Sequence, residues 1–176
     1  MPGGARALRD ARQTLQLIAA AMPAFDPRLT PARADLAAKH LQGKVEAARF
    51  VEGCLYDVVE PQAPLRNAPR PDAPLLTEAL KGERVMVYDT NGEGWAWGQC
   101  ESDGYVGFLP ESALALPGAT PTHKVAALRT FVFPGPSIKL LPLEALPLGA
   151  TLAIARVEDR LAVTQAAGYL PAAHLK

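Results

Sequence analysis

The chain has 176 residues, of which 18 are Lys or Arg and 18 are Asp or Glu, so its formal net charge at pH 7 is zero. This length fits one ordinary domain or two small ones. The basic residues form no block, which argues against a nucleic-acid partner, because neutralising a phosphate backbone requires a concentrated positive face.

The sequence predicts no membrane partner, because no run approaches the ~20 apolar residues that a membrane span needs. The start of the chain nevertheless resembles a weak signal peptide, with three arginines followed by a mostly apolar stretch at 15–22. Gln16 interrupts that stretch, which is short for the apolar region of a signal peptide. We therefore expect a cytoplasmic protein, with export to the periplasm as the alternative. Met1 and Met22 both stay open as the natural start.

Residues 1–52 are predicted to form an N-terminal arm with one or two short helices. Apolar residues of 5–22 fall roughly on one helical face, and Pro23 ends that helix. The pair Thr30-Pro31 has the N-cap and first-turn residues of a second helix. The partial alternation over 44–51 favours an extended lead-in strand.

Residues 53–116 are predicted to form a small antiparallel β-unit. The stretch 61–74 holds five prolines, which predicts a stiff loop rather than a regular element. The sequence Asn91-Gly92-Glu93-Gly94 has the chemistry of a tight hairpin turn, since Asn-Gly accepts positive φ. The remaining predicted elements are strands at 84–89, 95–101 and 105–109 and one helical turn at 110–114.

The pattern Gly-aromatic-Leu-Pro-x-x-x-Leu occurs twice, at 107–114 and at 168–175. A fixed period of this kind indicates a duplicated unit, so 122–176 is predicted to repeat the first unit after a short linker. Short strands, a long first loop, a tight hairpin and a final helical turn are typical of an SH3 barrel, whose closed sheet has no exposed edges. The predicted fold class is mainly β, with two SH3-like small barrels in tandem after the arm.

The two cysteines, Cys54 and Cys100, are too few for a disulfide framework, and we interpret them as unpaired thiols in a reducing compartment. The alternative is that one of them is a nucleophile and the chain is an enzyme in its own right. Against this, the three histidines are isolated from one another, and Cys100 is followed by a hairpin sequence rather than a helix start. No catalytic residue, metal ligand or cofactor is therefore predicted.

Several segments of the sequence, taken in order, carry a family resemblance. The segments are Asp26–Arg33, Gly43–Val45, Ala63–Arg66, Gly82–Val85, Gly94–Gln99, Asp103–Gly107 and Thr122–Thr130. Together they are similar to the front part of proteobacterial NlpC/P60 cysteine peptidases of the dipeptidyl-peptidase VI type, which cleave γ-D-glutamyl-diamino acid bonds in murein peptides. The resemblance covers 26–176 and implies two bacterial SH3 domains that precede a papain-like peptidase domain.

The catalytic motif of that family is missing here. Its nucleophile lies in an Asp-Cys-Ser-Gly motif, which this sequence does not contain, and the sequence ends at Lys176, where the peptidase domain would begin. We therefore expect a non-catalytic chain that is a fragment, or the product of a split or truncated gene.

The resemblance implies that the first SH3 domain packs against the peptidase cleft and recognises the free amino end of a murein-derived peptide through an acidic and an aromatic residue. A carboxylate beside an aromatic ring suits an ammonium group. Each candidate also has a structural interpretation, as a turn residue or as part of the sheet packing. The candidates in the first unit are Glu83, Trp95, Tyr105 and Phe108.

The expected partners are an NlpC/P60 peptidase domain, in cis or in trans, and a murein-derived peptide. The alternative function is a cell-wall-targeting or protein-interaction module that binds polymeric peptidoglycan, which would require export.

Overall fold

The computed structural model describes residues 25–176, so the expectations for residues 1–24, including the first arm helix and the signal-like start, lie outside the described residues. The described chain is mainly β, as predicted, with short strands and three single-turn 3-10 helices. No helix in this part of the chain has the length and apolar character that crossing a membrane requires.

The elements from the arm to the end of the first unit come first. They are β1 (Ala37–Ala38), η1 (Lys39–Leu41), β2 (Phe50–Val51), β3 (Cys54–Val58), β4 (Gln62–Arg66), β5 (Leu75–Leu80), β6 (Arg84–Thr90), β7 (Trp95–Cys100), β8 (Val106–Pro110), η2 (Glu111–Ala113) and β9 (Leu114–Ala115). The second unit then contains β10 (His123–Lys124), β11 (Arg129–Val132), β12 (Glu144–Pro147), β13 (Thr151–Leu152), β14 (Ile154–Glu158), β15 (Leu161–Thr164), β16 (Tyr169–Pro171) and η3 (Ala172–His174).

The first unit is one seven-stranded antiparallel sheet in the order β5-β4-β8-β7-β6-β3-β9. Its strands alternate, and their inward side chains, among them Leu65, Val85 and Leu109, form a single buried core. The end strands β5 and β9 do not pair with each other, so the sheet is SH3-like but open, where we predicted a closed barrel. The hairpin turn at 91–94 is confirmed, since Asn91 Oδ1 accepts hydrogen bonds from the backbone N–H of Glu93 and of Trp95.

The prediction that 61–74 contains no regular element was wrong, because it includes β4. Within β4, Ala63 and Leu65 alternate into the core and are fully buried. Proline has no N–H to donate to a neighbouring strand. Pro64 is tolerated because β4 pairs with β8 only at Arg66, so the β4–β8 pairing needs no hydrogen bond from Pro64. Burial of two alternating side chains therefore outweighs the proline content of this stretch.

The second unit is built from three small antiparallel sheets, β10-β13, β11-β12 and β14-β15-β16. Its own buried core includes Val125, Leu146 and Leu170. The last strand, β16, runs into η3 as β8 runs into η2, so both Gly-aromatic-Leu-Pro patterns form a strand followed by a 3-10 turn. That the two units arose by duplication stays a prediction.

The predicted helix at Thr30 was wrong: residues 25–52 form turns, bends and short strands, and their only helical turn is η1. Strand β1 pairs in parallel with β2, which confirms the lead-in strand over 44–51 in part. Leu36, Ala37 and Ala38 are all fully buried, and three consecutive side chains cannot all face the core from one side of a helix. Tertiary burial therefore overrides the local helix signal.

The two units meet at the turn between β5 and β6. Lys81 Nζ lies 2.6 Å from Glu144 Oε2, with about a quarter of each side chain exposed, and the Thr151 N–H donates to the Lys81 carbonyl at 2.8 Å. Gly82 has a φ of +80°, and a Cβ at this position would lie 2.3 Å from the Thr151 carbonyl oxygen. The absence of a side chain at Gly82 is thus what allows the second unit to approach.

We expect Gly82→Ala to lower the free energy of unfolding by about 3 kcal/mol, from positive-φ strain together with overpacking against Thr151. Gly92→Ala is the matched control, since Gly92 also has a positive φ but a Cβ there would contact nothing within 4 Å. That control should cost only about 1 kcal/mol. Urea denaturation measures both, and equal losses would contradict the close approach of the units at Gly82.

Candidate functional site

The arm forms one wall of a cleft on the outer face of the first unit. This arm cleft has a volume of about 380 Å³, and the residues that define it are Arg28, Arg33, Asn67, Leu76, Trp97 and Phe108. Pro27 lies in a turn that is closed by a hydrogen bond from the Leu29 N–H to the Asp26 carbonyl at 3.0 Å. The arm is also pinned to the sheet, because the Val106 N–H donates to the Arg28 carbonyl at 2.7 Å and Gln99 Nε2 donates to the Leu29 carbonyl at 3.0 Å.

The floor of the arm cleft is the side of β7 and β8 that faces away from the core. Along β7, Ala96 and Cys100 point into the core, while Trp97 points outward to pack against Leu36 and Val106. Trp97 is nevertheless only 4% exposed, because the arm covers it. The arm therefore buries the second face of the sheet, and Phe108, the cross-strand partner of Trp97, is left half-buried at the cleft.

Arg33 fastens the arm over this floor. Its guanidinium carbon lies 4.4 Å from the centre of a Trp97 ring, and one terminal nitrogen lies 2.6 Å from Asp89 Oδ2 and 2.8 Å from Asp35 Oδ2. Burial acts to lower the pKa of Arg33, but its hydrogen bonds to Asp35 and Asp89 outweigh burial and raise that pKa overall. The hydrogen bond from Arg33 likewise lowers the pKa of Asp35. The cation is thus oriented by two carboxylates and neutralised by them.

The structure places the four predicted binding residues at different points of the first unit. Phe108 lines the arm cleft, whereas Glu83, Trp95 and Tyr105 do not. Glu83 Oε2 accepts a hydrogen bond from the Leu80 N–H at 2.8 Å, which closes the β5–β6 turn. Tyr105 packs against the core, and Trp95 is half-buried at the start of β7. The binding roles of these four residues stay predictions.

The candidate residues chosen from the sequence included neither Arg33 nor Trp97. Trp97 packs on the face of the sheet that points away from the core, under the arm. Arg33 carried no signal of its own, because its partners Asp89 and Trp97 are far from it in sequence. The one available hint was a basic residue on a proline-held arm beside a strand with two tryptophans.

The thiols do not form a catalytic arrangement in the described part of the chain. Cys100 is 1% exposed, and burial, with smaller contributions from Asp103 and Glu83, raises its pKa to about 12. Cys54 is exposed and unpaired. Residues 25–176 contain no group of three or more His, Cys, Asp or Glu side chains that could hold a metal ion.

Residues 65–114, from β4 to the residue after η2, match the family model of the bacterial dipeptidyl-peptidase SH3 domain. The fold around the arm cleft is SH3-like. No curated protein matches the chain.

Among solved structures, the chain is similar to an NlpC/P60 family protein from Bacillus cereus, with 16% identity and a TM-score of 0.53 over 69% of this chain and 55% of that one. At this identity the similarity concerns the fold alone. NlpC2 from Trichomonas vaginalis shares 11% identity with a TM-score of 0.33 over 73% of this chain and 49% of that one, which is too distant to support a statement about the fold. The chain spans about half the length of both proteins.

We expect Arg33→Ala to loosen the arm and to lower the free energy of unfolding by about 1–2 kcal/mol, below the cost of breaking a fully buried pair because solvent reaches part of the site. Hydrogen exchange should become faster at the Val106 amide, and Trp fluorescence should shift to the red. Arg28→Ala is the control, since the Arg28–Asp26 pair is solvent-exposed and its loss should leave both signals unchanged. Equal responses in the two variants would show that Arg33 does not fasten the arm.

Cys100 should resist a thiol-specific reagent in the native protein at pH 8, whereas Cys54 should react. A pKa of about 12 keeps the Cys100 thiol protonated at this pH. The native Cys54→Ser variant should therefore show almost no reactive thiol, and the unfolded variant should show one. Rapid modification of native Cys54→Ser would revive the nucleophile hypothesis.

The same pKa shift makes stability depend on pH. The unfolded Cys100 thiol ionises near pH 9, so this group favours the folded state fully below pH 9, and its contribution to stability is lost as pH rises towards about 12.

Proposed function

We propose that this chain is a non-catalytic bacterial SH3 module that positions murein-derived peptides for an NlpC/P60 cysteine peptidase domain, in cis or in trans. The observation that carries the proposal is the match of residues 65–114 to the SH3 domain of bacterial dipeptidyl-peptidases. The SH3-like fold shared with an NlpC/P60 family protein supports the same assignment. The second unit, at 122–176, is proposed to be a second SH3 domain of the same kind, and the protein is proposed to act in the cytoplasm.

The arm cleft is the proposed place of peptide binding. Its volume of about 380 Å³ is at the small end of ligand sites, which suits a di- or tripeptide segment. Phe108 is half-buried there, with the guanidinium carbon of Arg33 5.7 Å from the centre of its ring, and Arg28 also lines the cleft. Because Arg33 is already paired with Asp35 and Asp89, specificity would come from shape and from the aromatic floor more than from net charge.

A non-catalytic role agrees with the state of the thiols. Cys100 is buried in the core with a strongly raised pKa, so its sulfur offers no thiolate to a substrate. His174 Nδ1 is hydrogen-bonded to Thr130 Oγ1 at 2.9 Å and His123 Nδ1 to Thr122 Oγ1 at 2.8 Å, so each of these two nitrogens is bonded to a threonine. Bond cleavage is therefore assigned to the partner domain.

The proposal is tested by mixing the full chain with a separately expressed NlpC/P60 peptidase domain and the tripeptide L-Ala-γ-D-Glu-diamino acid. We expect a complex in size-exclusion chromatography and cleavage that strongly prefers the free amino terminus over the N-acetylated tripeptide. Phe108→Ala should weaken peptide binding by about tenfold in calorimetry, the effect of losing one aromatic contact. Val157→Ala, which changes an exposed residue of β14, is the control.

The contrary outcomes are distinct. If the peptidase domain neither binds the chain nor changes its preference, the proposed positioning role is wrong. Sedimentation of the chain with purified sacculi, in the absence of any effect on the peptidase, would instead support the cell-wall-targeting alternative. Hydrolysis of the tripeptide by the chain alone would contradict the non-catalytic assignment.

A further inference from the structure

The hairpin β11–β12 carries an unusual concentration of exposed apolar side chains. Of the thirteen large apolar residues exposed among residues 25–176, seven lie between 128 and 148. They are Leu128, Phe131, Ile138, Leu140, Leu141, Leu143 and Leu148. Phe131 lies on β11, Leu128 and Leu148 flank the two strands, and the other four lie in the loop that joins them. We call these seven residues, together with Arg129, the outer hairpin face. Exposed apolar patches mark interaction sites.

The alternation of the hairpin explains why its outer side is apolar. Thr130, Val132 and Leu146 point inward and are buried, so Arg129 and Phe131 must point outward. Their cross-strand partners are Pro147 and Ala145, which lie on the same outward side. Both sides of this hairpin are therefore apolar, although only one of them packs on the core of its own unit.

One end of the outer hairpin face borders a recess between the two units. The recess has a volume of about 330 Å³, and its walls include Gln62 of the first unit and Leu128, Arg129 and Pro147 of the second. A recess at the edge of an apolar face can receive one large side chain of a partner, which is how interface anchors bind.

The unpaired charges on the hairpin have one sign. Arg129 lies over the Phe131 ring at 5.0 Å, Lys139 is exposed, and neither forms a salt bridge within residues 25–176. The only carboxylate in 128–148, that of Glu144, is held by Lys81 at 2.6 Å. The face thus presents an apolar surface with two uncompensated cations.

A lipid surface fits this face poorly. Binding to anionic lipids is typical of clusters of about four to eight Lys or Arg, and this face has two. Residues 134–142 are an irregular loop, and hydrocarbon offers no groups to satisfy its unpaired backbone N–H and C=O groups.

A second copy of the chain also fits poorly. A symmetric dimer through this face would place the same patch against itself, so the arginine and lysine of both copies would meet in one interface. Like charges brought together in this way oppose association.

We infer that the outer hairpin face docks a partner protein through an apolar segment flanked by carboxylates. One large apolar side chain of the partner occupies the recess, and a carboxylate pairs with Arg129. This surface belongs to the second unit and is separate from the arm cleft, so the inference goes beyond the proposed function and does not depend on it.

The experiment pans a displayed library of random twelve-residue peptides against the full chain, with counter-selection on the double variant Leu128→Asn/Leu141→Asn. These side chains are 87% and 86% exposed, so the double variant should fold normally, which thermal denaturation checks. Enriched peptides should combine a large apolar residue with Asp or Glu. In fluorescence anisotropy, the double variant should bind them about thirtyfold more weakly, the effect of losing an interface hot spot.

Two further variants test the contribution of charge and the location of the binding surface. Arg129→Gln should weaken binding about fivefold at low salt, and the difference should disappear at about 1 M salt, where charges are screened within about 3 Å. Leu116→Asn/Val157→Asn removes two exposed apolar residues elsewhere on the chain and should bind like the wild type.

The inference is overturned if panning enriches no peptide, if enriched peptides carry Lys or Arg in place of acids, or if they bind the Leu128→Asn/Leu141→Asn variant as well as the wild type. Sedimentation velocity and flotation with phosphatidylglycerol vesicles examine the other occupants. Self-association or vesicle binding that the double variant abolishes would assign the face to a second copy or to a membrane and would equally overturn it.

Discussion

Trp97 is buried on the side of its strand that faces away from the core, and this burial depends on the N-terminal arm lying over it. Arg33 stacks on the indole and pairs with Asp89, so one side chain supplies both the cover and the electrostatic attachment. A half-buried pair of this kind is worth more than an exposed one, because solvent screens it less. The cleft beside Phe108 exists only because the arm is held in this way, so the candidate site and the path of the arm are one structural feature.

The contact between the units follows from a second local constraint. Gly82 adopts a positive φ in the β5–β6 turn and leaves room for the Thr151 carbonyl, while Lys81 next to it reaches Glu144. The same turn is closed from within the first unit by Glu83, which bonds to the Leu80 N–H. Lys81 and Gly82 therefore connect this turn to the second unit, and Glu83 fixes its shape. Because Glu144 is paired with Lys81, it does not neutralise Arg129 and Lys139, the two cations of the outer hairpin face.

The turns and the strand alternation of the first unit were largely predictable, because they depend on short-range patterns. The Asn91 turn, the alternation of β6 and β7 and the 3-10 turn after Pro110 each follow from residues close in sequence. The errors fell where long-range packing decides. Strand β4 formed despite its prolines because Ala63 and Leu65 are buried in the core. The helix expected from Thr30 gave way to turns and the short strand β1, because Leu36 to Ala38 are all buried. The candidate site was harder to predict than the fold, because Arg33 and Asp89 are 56 residues apart and no local sequence pattern links them.

The sequence by itself determined that this protein is mainly β, that its first unit is SH3-like, and where its tight turns fall, because alternation and turn chemistry act over a few residues. Only the tertiary structure decided that the sheet stays open and that the arm covers Trp97. It also decided that the β11–β12 hairpin is apolar on both sides. These features depend on which surfaces meet after the chain has folded. A contact between two residues distant in sequence produces no periodic pattern in the sequence around either residue, so it is not predictable from local patterns.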